Sequence, residues 1–263
     1  MNVLDRILAT TRDEIAELAA APERAPERPT LDVPSRLRRP NGAPLRLIAE
    51  NKRRSPSAGA LSVALSTFER ARAYREAGAS MISVLVDRAH FAGSFAHLAE
   101  ARLAVGEAVP LLAKGFVIDE RQLDAARVHG ADAVLLIARI LEGGRLSELV
   151  AAALARGLEP IVEVVDEPEL ERALGTRARM VGVNARDLAA LDMDPARAAR
   201  VLAAIPRTHV ALHFSGIAGP ADVAALARRP LDGALIGEAL MRRDDPRPLL
   251  AAMVAAAGGA APR

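Results

Sequence analysis

Two lysines and two glutamates stand where short apolar runs end. Glu50 and Lys52 follow Leu47-Ile48-Ala49, Lys114 follows Leu111-Leu112-Ala113, and Glu163 lies between Val162 and Val164. Such a set is matched for acid and base work: a lysine gives a proton, a glutamate removes one, and burial tunes an ammonium toward neutrality. Any of these charges buried without a partner costs several kcal/mol, so their recurrence at equivalent points implies one cleft in which they pair. A structural ion pair capping the fold would explain any one of them, but poorly all four. Asn184, which ends Val181-Gly182-Val183 and leads into Ala185-Arg186-Asp187, adds a neutral hydrogen-bonding group at a similar point.

Near the C-terminal end, Phe214-Ser215-Gly216-Ile217 and Ile236-Gly237-Glu238-Ala239 place glycines directly after apolar runs. Backbone N–H groups and short helix starts there can cradle an anion such as a phosphate. Gly237 alone could also serve tight packing between a strand and a helix.

The elements that must position these residues alternate. Strands are expected at Arg46–Glu50, Met81–Val86, Pro110–Lys114, Ala133–Ile137, Pro160–Val164, Met180–Asn184, Val210–Phe214 and Gly233–Ile236, each followed by an Ala/Leu/Arg/Glu-rich helical stretch. Eight such units without a break predict a parallel sheet closed into a (β/α)₈ TIM barrel, whose chemistry sits at the carboxyl ends of the strands. An open sheet with one strand miscounted is the alternative. Before the barrel, Val3, Leu4, Ile7, Leu8, Ile15 and Leu18 are spaced for an extra amphipathic helix within residues 1–20. The prolines from Pro22 to Pro44 suggest an extended strap without regular structure. The expected division is therefore 1–44 as helix and strap, and 45–263 as the catalytic barrel.

Composition narrows the function. Of 263 residues 51% are hydrophobic but only 2% aromatic, so the core is built from Ala, Val, Leu and Ile, and the stacking platforms of single-stranded nucleic-acid binding are missing. The 35 Lys and Arg nearly cancel the 33 Asp and Glu. The densest basic cluster, Arg36, Arg38 and Arg39, reads as solvated linker rather than a nucleic-acid arm. With no cysteine, and five histidines lacking ligand spacing, neither disulfide nor metal site is expected. Asp5, Arg6, Asp13 and Glu14 do not fit a signal peptide, and no apolar run reaches the ~20 residues of a membrane span. A soluble cytoplasmic protein, monomer or homodimer, is expected, with a small-molecule substrate and neither nucleic acid nor membrane as partner.

Taken together these residues resemble the indole-3-glycerol phosphate synthase family over nearly the whole chain. The resemblance is carried by Val3-Leu4-Asp5-Arg6-Ile7, by Glu50-Asn51-Lys52-Arg53-Arg54-Ser55-Pro56-Ser57, by Phe91, Gly93 and Ser94, by Lys114 with Phe116, by Asn184-Ala185-Arg186-Asp187-Leu188, by Ser215-Gly216-Ile217 and by Gly237-Glu238-Ala239. It implies conversion of 1-(2-carboxyphenylamino)-1-deoxyribulose 5-phosphate to indole-3-glycerol phosphate by ring closure, decarboxylation and dehydration, with no cofactor. Lys114 would protonate the ketone oxygen, Glu163 would stabilise the cationic intermediate or act as a base, and Glu50 with Lys52 would move protons in the dehydration. Asn184 would hold substrate hydroxyls, Ser55 and Arg186 the anionic end, and Ser215, Gly216 and Gly237 the phosphate and triose part.

Three positions depart from the family pattern. Gly115 stands where the family has Asp, Phe214 where it has Glu, and Val165 where His is common. The first removes a carboxylate beside the presumed acid and the second a polar contact to the substrate chain. They leave room for a paralogue using the same lysines on a modified anthranilate-derived sugar phosphate. A non-catalytic barrel subunit fits less well, because a scaffold has no use for charges at strand ends.

Overall fold

A computed structural model of the chain describes residues 3–18, 29–55, 59–187 and 192–258. Eight parallel strands close into a barrel: β1 (Arg46–Asn51), β2 (Met81–Leu85), β3 (Leu111–Lys114), β4 (Ala133–Ile137), β5 (Glu159–Val164), β6 (Met180–Asn184), β7 (Val210–Phe214) and β8 (Gly233–Ile236). Each strand pairs with its sequence neighbours, and β8 returns to β1 with Arg46 opposite Gly233. The eight expected strands are all present, with ends moved by no more than one residue.

Alternation along each strand sorts the apolar residues into two cores. Ile48, Met81, Leu112, Leu135, Ile161, Met180, Leu212 and Leu235 form a buried cluster inside the barrel. Their neighbours Leu47, Ile82, Leu111, Val134, Val162, Val181, Ala211 and Ala234 belong to a second cluster, shared with the surrounding helices. Burying each such side chain contributes about 1.5–3 kcal/mol, so period two fixes the strand faces and hence which residues can reach the cleft.

The helices begin where their sequences say. Ser66 and Glu69 make a capping box at the helix Thr67–Glu76, and Asp119 with Gln122 makes another at Glu120–Val128. The N-terminal helix α1 spans Val3–Glu17 and buries Leu4, Ile7 and Ile15. It is fixed to the loop after β2: Glu14 accepts from the Ala89 N–H at 3.0 Å, and Thr10 Oγ1 lies 2.9 Å from His90 Nε2.

Two expectations for the strap are corrected. Residues 19–28, which include Pro22, lie outside the described part, but Val33–Leu37 form a short helix, α2, with Asp32 as N-cap and Pro34 in its first turn. Nor are the arginines beside it a solvated linker. Arg39 is buried and donates to the carbonyls of Ala227 (2.7 Å), Leu231 (3.1 Å) and Ala43 (2.8 Å). Arg38 donates to those of His209, Thr208 and Arg207, and Arg36 to that of Ala108. Carbonyls at the amino ends of the strands need donors, and guanidinium groups reach several of them at once. The strap therefore closes the end of the barrel opposite the cleft.

The loop after β1 also carries more order than expected. Arg54–Ser55 and Gly59–Ala60 pair as a short antiparallel ribbon; Pro56, Ser57 and Ala58 lie outside the described residues.

Candidate active site

Two residues along from the interior core, on the same face of each strand, stand the polar groups. Ile48 is followed by Glu50, Leu112 by Lys114, Ile161 by Glu163, Gly182 by Asn184, Leu212 by Phe214 and Leu235 by Gly237. All are at carboxyl ends, so the closed barrel gathers them into one layer. A cleft of about 450 Å³ opens above it, lined among others by Glu50, Lys52, Lys114, Asn184, Arg186, Phe214, Ser215, Gly216 and Gly237.

The layer divides into an ion-paired group and a hydrogen-bonded one. Glu50 takes both lysines: Lys52 Nζ lies 2.7 Å from its Oε1 and Lys114 Nζ lies 3.5 Å from its Oε2. Glu163 accepts from Asn184 Nδ2 at 3.0 Å, and Asn184 Oδ1 accepts from Ser215 Oγ at 2.8 Å and from the Arg186 N–H at 3.0 Å. Tyr74, the single tyrosine of the chain, is buried and donates to the Glu50 carbonyl at 3.1 Å, which anchors the end of β1 from outside.

The two glutamates are pushed in opposite directions. Burial raises Glu50, but the two ammonium groups outweigh it and hold the carboxyl at about 2. Burial raises Glu163 as well, and here Lys114 and Asn184 do not overcome it, so its pKa stays above the ordinary value. Lys114 is lowered by burial, yet the carboxylates of Glu50 and Glu163 prevail and leave it raised. The expectation that burial tunes this ammonium toward neutrality is thus reversed: two facing carboxylates keep it charged.

Gly237 must be glycine for the layer to form. A Cβ there would lie 2.3 Å from Glu50 Oε1 and 3.2 Å from Lys52 Nζ. Ser215 and Gly216 both have positive φ, at 73° and 78°, which turns the loop after β7 back toward the cleft. Among the described residues no group of three or more His, Asp or Glu side chains is placed to hold a metal ion.

A sequence profile of the indole-3-glycerol phosphate synthase family matches residues 4–253. The chain belongs to that family. It is 40% identical to the indole-3-glycerol phosphate synthase of Mycobacterium avium, over 97% of this chain and 94% of that one. To indole-3-glycerol phosphate synthase 1 of Streptomyces coelicolor it is 41% identical, over 97% and 96%. Among solved structures, 3-hexulose-6-phosphate synthase from Salmonella typhimurium superposes with a TM-score of 0.64 at 14% identity, over 81% of this chain and 98% of that one. Thiamine phosphate pyrophosphorylase from Pyrococcus furiosus does so with 0.61 at 17%, over 81% and 95%. At such identities the likeness is one of fold.

Set against the family pattern, the departures fall in different places. Phe214 lines the cleft. Gly115 lines a separate cavity of about 330 Å³ between α1 and the helices after β2 and β3, and a Cβ on it would meet Val86 Cγ2 at 2.9 Å. An Asp at 115 would therefore enter that outer space and not stand beside the Lys114 ammonium. Val165 is buried and donates its N–H to Glu169 at 2.8 Å.

Of the expected site residues, Ser55 is buried in the ribbon and is not among the described residues lining the cleft, while Glu163 reaches it through Asn184. Leu188 lies outside the described residues. Leu235, Arg242 and Arg243 line the cleft without having been expected there. Leu235 was open to the alternation rule, standing two before Gly237; the arginines follow a four-residue helix, Glu238–Met241, and carried no spacing signal.

Proposed function

We propose that this protein is an indole-3-glycerol phosphate synthase, a carboxy-lyase of tryptophan biosynthesis that forms the indole ring from 1-(2-carboxyphenylamino)-1-deoxyribulose 5-phosphate. The observation that carries the reading is the single layer holding Lys114 between two glutamates of opposite acidity, in a chain of this family. Widely separated acidities in neighbouring carboxyl groups are how one site assigns acid and base roles. The modified-substrate paralogue and the non-catalytic subunit are not favoured, since the relatives align over nearly the whole chain under the one activity.

Lys114, kept as an ammonium, gives its proton to the ketone oxygen as the aromatic carbon bearing the carboxylate attacks the carbonyl carbon. The ring then carries positive charge. Glu163 faces that charge, and one of its oxygens is buried without a hydrogen-bond partner among the described residues. Loss of CO₂ restores the aromatic ring, and the former ketone oxygen leaves as water once it is protonated and a proton is taken from the adjoining carbon. Glu50, held ionised by the two lysines, and Lys52, 2.7 Å away, form the pair that moves these protons. Asn184 holds substrate hydroxyls, Arg186 takes the anionic end, and Ser215, Gly216 and Gly237 take the phosphate and triose part.

Incubation of the purified protein with the carboxyphenylamino-deoxyribulose phosphate tests this: indole fluorescence and CO₂ should appear together. Fluorescence without stoichiometric CO₂, or neither, would reject it. Among the described residues no helix is long and apolar enough to cross a membrane, and we infer that the enzyme works in the cytoplasm.

A further inference from the structure

Outside the cleft, the loops that leave β4, β5 and β6 meet on one guanidinium. Arg139 lies on the 3₁₀ turn Ala138–Ile140 that follows β4. Its Nε donates to Glu169 Oε1 at 2.6 Å, Nη1 to Asp187 Oδ2 at 2.7 Å and Nη2 to Asp166 Oδ2 at 3.2 Å. Arg139, Glu169 and Asp187 are each at most a quarter exposed, so these charge-assisted bonds are stronger than surface pairs. It is not among the residues lining the cleft.

Each partner leads back to a site strand. The other oxygen of Glu169 accepts from the Val165 N–H at 2.8 Å, two residues beyond Glu163. Asp187 directly follows Arg186, which lines the cleft and whose N–H is bonded to Asn184. The same loop continues through Asp192, whose carbonyl accepts from the Asp187 N–H at 2.9 Å, to Met193, which bridges back to Arg186. Met193 also lies against the loop after β7, its Cε 2.7 Å from where a Cβ on Gly216 would stand. One stretch of chain thus carries the partner of Arg139, a cation of the cleft and a side chain lying against Gly216.

We propose that Arg139 is a positioning residue for substrate binding, which through Asp187 sets the loop carrying Arg186 and Met193 against the anion-holding residues Ser215 and Gly216. The guanidinium bonds three carboxylates, one through each of its nitrogens, in the fixed fork that a flexible ammonium lacks, so it ties the exits of β5 and β6 together. Without it, Asp166, Glu169 and Asp187 are left as mutually repelling charges, and the loop moves outward. Lys114, Glu50 and Glu163 are held within the barrel by strand pairing that Arg139 takes no part in, so binding is lost while the chemical step is kept. Loss of interactions made equally in ground and transition state raises KM and spares kcat.

This rests on the function proposed above, and two readouts keep the two ideas apart. Arg139→Gln, Asp187→Asn and the double variant are compared with the parent for kcat and KM on the carboxyphenylamino-deoxyribulose phosphate, and for the Kd of inorganic phosphate by calorimetry. Each single variant should raise KM and the phosphate Kd about tenfold, about 1.4 kcal/mol, with kcat within about fivefold. The double variant should be no worse than either single one, because both break the same link. KM and Kd within about twofold of the parent in a folded variant, additive effects, or a fall in kcat alone would overturn the proposal. Should Arg139→Gln not fold, Asp187→Asn reads the link from its other end. A parent without turnover rejects the proposed function alone, since phosphate binding still decides this one; a parent that binds no phosphate either overturns both.

Discussion

The ring of Phe214 occupies the space that a side chain at residue 182 would need: a Cβ on Gly182 would lie 2.3 Å from its Cε2 and 2.4 Å from its Cζ. Gly182 stands opposite Glu163 on β5 and Phe214 opposite Asn184 on β6, so the ring is wedged beside the Glu163–Asn184 pair. A chain nearly without aromatic residues spends one of its five phenylalanines here. A glycine at 182 is what lets this ring close the cleft wall.

Gly182→Ala should accordingly destabilise the fold. Overpacking a filled core costs about 1–3 kcal/mol, which at this size lowers Tm by about 2–4 °C per kcal/mol. Phe214→Leu in the same chain should recover most of that loss. Calorimetry of the two single variants and the double variant decides it; a double variant no more stable than Gly182→Ala would show that the ring is not the obstacle.

Lys114→Met should keep the fold and lower turnover by at least about 10²-fold, the usual scale for a positioned general acid. The substitution leaves Glu50 paired with Lys52 at 2.7 Å, so the carboxylate is not stranded. Steady-state kinetics beside a melting curve is the check. Turnover within a few-fold of the parent would remove Lys114 from the mechanism.

What was readable in advance follows from range. Alternation of period two is a local property, so Ile48 with Glu50, Leu112 with Lys114 and Ile161 with Glu163 declared both the barrel face and the charged layer at its carboxyl end. The small helix α2 was readable too: Asp32 followed by Val33-Pro34 is a cap with proline in the first turn, though the surrounding prolines obscured it. Arg39 and Arg139 were not. Arg39 finds two of its three carbonyls 188 and 192 residues away, and Arg139 its carboxylates 27 to 48 residues away, so only closure of the barrel reveals what those side chains do. The sign of the Lys114 shift was hidden for the same reason, since it depends on Glu50 and Glu163 from two other strands.

Asp232→Ala should unsettle the closed end of the barrel and spare catalysis. Asp232 is fully buried just before β8; its Oδ1 accepts from the Arg39 N–H at 2.9 Å and its Oδ2 from the Ala211 N–H at 2.8 Å. Removing the acceptor strands two buried donors at about 1–3 kcal/mol each, a fall in Tm of about 4–24 °C. At 25 °C, kcat/KM should remain within about twofold, because the cleft is at the other end of the strands. A large loss of kcat/KM at unchanged Tm would contradict this account of the strap.

The two glutamates should answer pH in opposite senses when each is replaced by glutamine. Glu50 has a folded pKa held at about 2, well below its unfolded value of 4.5. Its stabilisation is therefore fully present above pH 4.5 and lost as pH falls through about 2. Glu50→Gln should lower Tm clearly at pH 7, and the deficit should narrow as pH falls from about 4.5 toward 2. Glu163 is raised by burial, so its favourable contribution is present below pH 4.5 and is lost once pH rises through the folded value. Above that point the protein keeps a carboxylate ionised in a buried place. Glutamine keeps the oxygen that accepts from Asn184 and removes the charge, so Glu163→Gln should melt higher relative to the parent at pH 7 than at pH 4, even as turnover falls. Melting curves of the parent and both variants between about pH 3 and 8 test the pair together. Parallel displacement of the two variants at every pH would mean that the lysines do not divide their charge between these carboxylates as the geometry requires.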